Sequence, residues 1–159
     1  MLYGERNMPR VNRATSEQTK ERIIETAAHI VLNEGFEHLT FTNIAKEANI
    51  SRSSTNTHFK NKEDLIEAIK PKVGEVIVPL FCYDSPEKFL ESWKKVYLTD
   101  PHAQKLLYNT RHLVSSNEGI DGLISLIQGE DREKVEEVVL YCIGYSMYKG
   151  IYGQKPEKI

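Results

Sequence analysis

Between Arg52 and His58 the chain reads Arg-Ser-Ser-Thr-Asn-Thr-His, one guanidinium, one imidazole and five hydroxyl or amide side chains in succession. Ser, Thr and Asn are weak helix formers because their side chains compete for the backbone. A short helix built from them makes sense when its outer face hydrogen-bonds to phosphates and base edges. Ser53 or Ser54 near His58 suggests a nucleophile and its base. Nothing nearby supplies an orienting acid or an oxyanion hole, so the sequence does not read as an enzyme. His29, His38, His102 and His112 have no metal-ligand spacing, and Cys82 and Cys142 lie 60 residues apart with no CxxC pair. No metal and no cofactor is expected. The cysteines leave a reduced pair or a single disulfide open, and a reducing cytoplasm fits the first.

The elements that must position this run read as helices. A first helix is expected from near Ser16, with Thr15 and Gln18 spaced as a capping box. Ile23, Ala27, Ile30 and Val31 form its apolar stripe, and Gly35 suits the turn beyond it. Phe36 and Leu39 are expected to pack inward. Thr40 reads as the N-cap of a second helix, Phe41 to Ala48, with Ile44, Ala45 and Ala48 buried. Asn49 tolerates the left-handed turn conformation. Ser51 then caps a third helix, Arg52 to about Phe59. Two short helices joined by a tight turn, with small alanines where they cross and Ile50 facing inward, describe a helix-turn-helix.

Beyond it, Glu63 and Asp64 favour a helix start near Lys62, with Leu65, Ile66 and Ile69 apolar. Pro71 predicts a kink or an end near Lys70. Ser85-Pro86 and Asp100-Pro101 each place a cap before a proline at the first helical position. Phe89, Leu90, Trp93, Val96 and Tyr97 line the first of these helices, and Leu106, Leu107 and Leu113 follow. Ser115 to Gly122 reads as a loop. A long last helix from near Asp131 carries Val135, Val138, Val139, Cys142, Ile143 and Met147, together with Gly144, Gly150 and four tyrosines, Tyr141, Tyr145, Tyr148 and Tyr152. Apolar residues on more than one face of it favour a two-fold helical bundle between subunits. No alternating run or hairpin signal appears, so the fold class is all-α.

With 159 residues, a hydrophobic fraction of 40%, a net charge of −2 and a pI near 6.2, the chain is an ordinary globular protein whose composition does not announce nucleic acid. The sign of the whole hides a division. Residues 1–62 carry 9 Lys and Arg against 7 Asp and Glu, and residues 63–159 carry 12 against 16. A mildly basic head therefore precedes an acidic body. Met1 to Arg13, with Arg6, Arg10 and Arg13, reads as a flexible basic arm able to seek phosphate. It is not a signal peptide, and no run of about 18 apolar residues exists to span a membrane.

The stretch from Phe41 to Leu65 resembles the DNA-binding domain of TetR-type transcriptional regulators. Gly35, Thr40, Ile44-Ala45, Ile50-Ser51, His58-Phe59 and Lys62-Glu63-Asp64-Leu65 carry the resemblance, which covers roughly residues 16–69. It implies an N-terminal helix-turn-helix head at 1–62 and a helical regulatory and dimerisation domain at 63–159. It implies a cytoplasmic homodimer joined through its C-terminal helices, bound to palindromic double-stranded DNA. Such a protein is typically a repressor released by a small-molecule effector.

The resemblance also implies residue roles. Thr42, Arg52, Ser53, Ser54, Thr55, Asn56, Thr57, His58 and Lys62 would meet DNA, joined by Arg13 of the arm. The aromatics Phe81, Trp93, Tyr97 and Tyr108 are candidates for an effector pocket, since such rings offer an apolar body and a polar or polarisable edge. The 97 residues of the second part are few for a sensing half. Asn49 stands where the family usually has Gly, Thr55 where it has a large apolar residue, and Asn56 where it has Tyr. The last two motivate a second reading, a ligand-independent protein-interaction module that keeps the fold but binds DNA weakly.

Overall fold

The computed structural model describes residues 10–152, with side chains described over residues 13–149. Among the described residues there are nine α-helices and no strand. They are α1 (Arg10–Asn33), α2 (Phe41–Glu47), α3 (Arg52–His58), α4 (Lys62–Ile77), α5 (Pro86–Thr99), α6 (Pro101–Asn109), α7 (Arg111–Val114), α8 (Asn117–Leu126) and α9 (Arg132–Tyr152). Short 3₁₀ turns occupy Phe36–His38 and Val78–Leu80.

Caps set most of the boundaries. Thr40, Ser51, Asn61, Ser85, Asp100 and Ser116 each accept a hydrogen bond from the backbone N–H three residues on. Such caps are worth about 1 kcal/mol each, so they decide where a short helix begins. Gly35 has φ 111°, a conformation that only glycine adopts without strain, and it turns the chain out of α1.

Ile23, Ala27, Ile30 and Val31 on α1 are fully buried, as are Leu65 and Ile69 on α4, which packs along α1. The same apolar cluster continues through Phe89, Trp93, Leu107, Val135 and Cys142, so one core runs from the head into the body. Burying each large side chain of this kind contributes about 1.5–3 kcal/mol. Both cysteines are free thiols, Cys142 inside this core and Cys82 half-buried. No helix of the described residues is long and apolar enough to cross a membrane.

Three expectations are corrected. The first helix is already formed at Arg10, the first described residue, rather than starting near Ser16, so Thr15 lies inside it, where its carbonyl accepts from the Thr19 hydroxyl at 3.0 Å. Of the expected arm, residues 1–9 lie outside the described residues, while Arg13 is an exposed position on the first turns of α1. Second, of the kink or end expected near Lys70, the end is excluded, since α4 continues through Pro71 to Ile77. Leu65, Ile69, Val73 and Ile77 recur every fourth residue and are all buried, whereas Pro71 is exposed on the opposite side. There water can satisfy the carbonyl left without a helical donor, and burial of the inner stripe outweighs the local disruption. Third, the expected loop Ser115–Gly122 is mostly the first half of α8. Ser116 caps it, and Gly119 permits a close crossing, since a Cβ there would collide with the carbonyl oxygens of Leu113 and Val114.

Candidate nucleic-acid interface and neighbouring cavity

α2 and α3 meet through a tight turn. Ala45 and Ala48 are buried where the helices approach, and the Ile50 N–H donates to the Ala45 carbonyl at 3.0 Å. Asn49 has φ 52°, the one left-handed non-glycine among the described residues. An amide side chain tolerates that region better than most, which lets Asn serve where a glycine would be easiest. Ser51 Oγ then accepts from the Ser54 N–H at 3.1 Å and starts α3.

α3 is divided by its own periodicity. Thr55 and, just past the helix, Phe59 point into the core at 0% and 4% exposure. Arg52, Ser53, Asn56 and Thr57 stand exposed, with Ser54 and His58 at the half-buried margins. Thr42 is exposed on the first turn of α2, and Lys62 lies at the start of α4 with Nζ 4.7 Å from the centre of the Phe36 ring. The helix-turn-helix thus gathers Thr42, Arg52, Ser53, Asn56 and Thr57 outward, with Ser54, His58 and Lys62 beside them. Arg13 sits apart from them in sequence, on α1.

Thr55 is a correction. Its side chain is wholly enclosed and its hydroxyl finds no hydrogen-bond partner among the described residues, so it cannot reach a ligand outside the helix. It occupies a core position that an apolar residue would fill without stranding a polar atom. Other hydroxyls are engaged locally: Thr57 Oγ1 donates to the Ser53 carbonyl at 2.9 Å, and the Ser51 and Ser53 hydroxyls lie 3.0 Å apart. Ser53 is therefore bonded along its own helix rather than to His58.

The ion pairs of the described residues avoid this surface. Those between helices join α4 to α1 (Lys72 to Glu21, 2.9 Å), α4 to α8 (Lys70 to Glu118) and α9 to α5 (Lys134 to Glu87), and the rest are local, Lys70 to Glu67 and Lys88 to Asp84. Arg52, Lys60 and Lys62 take part in none of them. Lys60, exposed just after α3, joins the cationic set that the motif spacing did not single out.

In the body, a cleft of about 690 Å³ opens between α5, α6, α7 and α9. Trp93, Tyr97 and Tyr108 line it together, although they come from two helices. Trp93 Nε1 donates to Ser146 Oγ at 2.9 Å, and Ser146 Oγ donates to the Cys142 carbonyl at 2.7 Å, which fixes the indole plane. Burial raises the Tyr97 phenol above its ordinary range, and burial pushes the Cys142 thiol up to about 12, so both stay neutral at physiological pH. Phe81 is a correction. It stacks behind Trp93, centroids 4.4 Å apart and planes 16° apart, and faces a smaller cleft of about 230 Å³ between α4 and α8. Sequence reasoning missed Lys105, Arg111, Ser146 and Lys149, which also line the larger cleft. They come from α6, α7 and α9, and no spacing along the chain announces their convergence.

Residues 23–69 match the family described as bacterial regulatory proteins, tetR family. The chain is 31% identical over 144 residues to the HTH-type transcriptional regulator SrpR of Pseudomonas putida, covering 86% of this chain and 66% of that protein. It is 29% identical over 131 residues to the uncharacterized HTH-type transcriptional regulator TtgW, also of Pseudomonas putida, covering 79% and 96%. It is 35% identical over 51 residues to the uncharacterized HTH-type transcriptional regulator YvkB of Bacillus subtilis, covering 32% and 27%. The chain therefore spans 66% of the length of SrpR and 27% of that of YvkB.

Proposed function

The chain is a TetR-family protein by its helix-turn-helix head, and from that premise we propose that it is a homodimeric DNA-binding transcriptional regulator, a repressor released by a small-molecule effector. The observation that carries the reading is the division of α3. Its inner face is anchored by Thr55 and Phe59, and its outer face holds Arg52, Ser53, Asn56 and Thr57 beside Lys60 and Lys62, cations outside the ion pairs of the described residues. In this reading Thr42, Arg52, Lys62 and the Arg13 side chain meet phosphates, while Ser53, Ser54, Asn56, Thr57 and His58 face the major groove. The head comprises residues 1–62 and the regulatory part residues 63–159, with α4 joining them. The protein acts in the cytoplasm, where its DNA lies.

Dimerisation is supported by α9. Val135, Val139, Cys142 and Ile143 fill the core on one side, while Leu140, Tyr141, Met147 and Tyr148 stand 48–60% exposed on the other. They recur at heptad-like spacing around Gly144, beside which nothing lies within 4 Å of a Cβ. Leu126 of α8 is exposed as well. A contiguous apolar face of this size is what a second copy covers. Two heads held this way would enter successive major grooves about 34–36 Å apart on a palindromic site.

Release is supported by how the cleft adjoins the head. The Asn109 side-chain amide donates to the Leu32 carbonyl at the end of α1 at 2.8 Å, and the His112 and Phe36 rings lie 5.3 Å apart. Lys62 sits over the same Phe36. An effector that prefers one arrangement of α6 and α7 would shift the head through these contacts, since only differential affinity moves such an equilibrium.

Binding of the full chain to palindromic and random duplexes over a salt series tests the proposal. Arg52→Ala with Lys62→Ala is expected to weaken binding by about ten- to a hundredfold on all sequences and to flatten the salt slope by roughly two charges. Weak binding everywhere, unchanged by the pair of substitutions, would favour the protein-interaction module instead.

A further inference from the structure

Resting on the reading of the cleft beside Trp93 as the effector site, we propose that its ligand is an organic anion, a flat apolar body bearing one acidic group. The segment from residue 63 onward has more acids than bases, 16 against 12. Yet no Asp or Glu among the described residues lines this cleft, whereas Lys105, Arg111 and Lys149 all do, with His112 beside them. These cations come from different helices, α6, α7 and α9, so their meeting is a product of the fold rather than of helical periodicity. None of the three forms an ion pair among the described residues. The smaller cleft is the internal control. It also holds a lysine, Lys70, but Glu118 lines the same wall and pairs with it.

Arg111 is the best-oriented of these cations. Its guanidinium lies 4.1 Å over the Tyr108 ring and donates to the Tyr108 carbonyl at 2.7 Å. Those contacts orient the half-buried group and leave most of its donors uncommitted. A charge held against apolar walls favours an anionic partner, and guanidinium binds carboxylate, sulfonate or phosphate in two-pronged fashion. In the same lining, Trp93 and Tyr97 stack with planes 24° apart, and Ile143 and Leu107 add apolar surface suited to a flat ring system. Lys105 and Lys149 are exposed at the rim, where they raise the local concentration of anions rather than fix their geometry.

Titration of the intact chain with anilinonaphthalene sulfonate and with phenylnaphthylamine, the same ring system without the acid, tests the inference. Trp93 is the sole tryptophan and lines the smaller cleft as well, so energy transfer from it reports dye bound in the body, and the response to the variants below assigns the dye to this cleft. The sulfonate is expected to bind about tenfold tighter or more, the scale of a charge-assisted hydrogen bond. Arg111→Gln is expected to remove most of that preference and to leave the neutral dye unaffected. Lys105→Gln with Lys149→Gln, both exposed, tests the charge independently of Arg111's packing and is expected to weaken the sulfonate several-fold with a shallower salt dependence. Equal affinity of the two dyes, or a sulfonate preference untouched by either variant, overturns the anion while leaving the cleft as a binding site. Failure of both dyes to draw energy from Trp93 overturns the anion and the effector reading together.

Discussion

The helix-turn-helix and the cleft are built by opposite means. In the head, each working side chain is placed by its neighbours in sequence: Ser51 caps α3, Asn49 turns the chain before it, and the helical repeat sends Thr55 inward and Asn56 outward. In the body, the cleft exists only because α5, α6, α7 and α9 converge, and its polar lining is drawn from residues as far apart as Lys105 and Lys149. The head is therefore a local motif presented on a scaffold, while the cleft is a property of the scaffold itself. A change in the head should alter recognition alone, and a change in the body should alter recognition only through assembly or through the contacts of α6 and α7 with α1 and Phe36.

The strongest way to break that contrast is to disable DNA binding from the body. Leu140→Glu with Tyr141→Glu puts charges on the exposed apolar face of α9, outside the lining of the cleft and far in sequence from α3. We expect a monomer by sedimentation and a loss of palindrome affinity of about a hundredfold or more, because the second half-site no longer adds to the first. Affinity for an isolated half-site should be unchanged. A dimer that persists, or a half-site affinity that falls equally, would mean that α9 is not the interface.

Thr55→Val changes the head without touching its outer face. It replaces an enclosed hydroxyl that has no partner with a methyl of the same shape. Denaturant unfolding should show a gain of about 1 kcal/mol, the lower end of the range for an unsatisfied buried group. Binding to the preferred duplex should stay within about twofold, since the side chain does not reach the outer face. A large loss of affinity would return Thr55 to the interface.

The smallest expected effect lies on the body alone. The Lys134 ammonium beside Glu87 lowers the Glu87 carboxyl to about 2, below its ordinary 4.5. A depressed carboxylate stabilises the fold above its unfolded pKa, and that contribution fades as pH falls from the ordinary range toward 2. Both groups are exposed, so salt screens the pair. Acid unfolding curves of the chain and of Lys134→Ala should converge at low pH and differ only slightly near neutrality, less so in high salt.

The head is largely legible in the sequence because its determinants are short-range. Thr40, Asn49 and Ser51 act on the backbone within a few residues, and the alternation of Thr55 and Asn56 follows from the helical repeat. Even there Thr55 is the exception: its polar side chain places it with the residues expected to meet DNA, and packing encloses it completely. Pro71 and the Ser115–Gly122 segment mislead for the converse reason. A proline and two glycines signal a break locally, but burial of Val73 and Ile77, and the close crossing at Gly119, favour helix. Trp93, Tyr97 and Tyr108 are recognisable as aromatics, whereas the separation of Phe81 into another cleft is not.

By itself the amino-acid sequence determined the all-α class, the caps, the turn and the polar outer face of α3, since each depends on interactions within about one helical turn. It took the packed structure to establish that α4 runs through Pro71, that Leu140, Tyr141, Met147 and Tyr148 are the members of α9 left exposed, and that Lys105, Arg111 and Lys149 share a cleft without an acid among the described residues. Those outcomes depend on how helices pack, and packing brings together side chains whose distance along the chain carries no record of their distance in space.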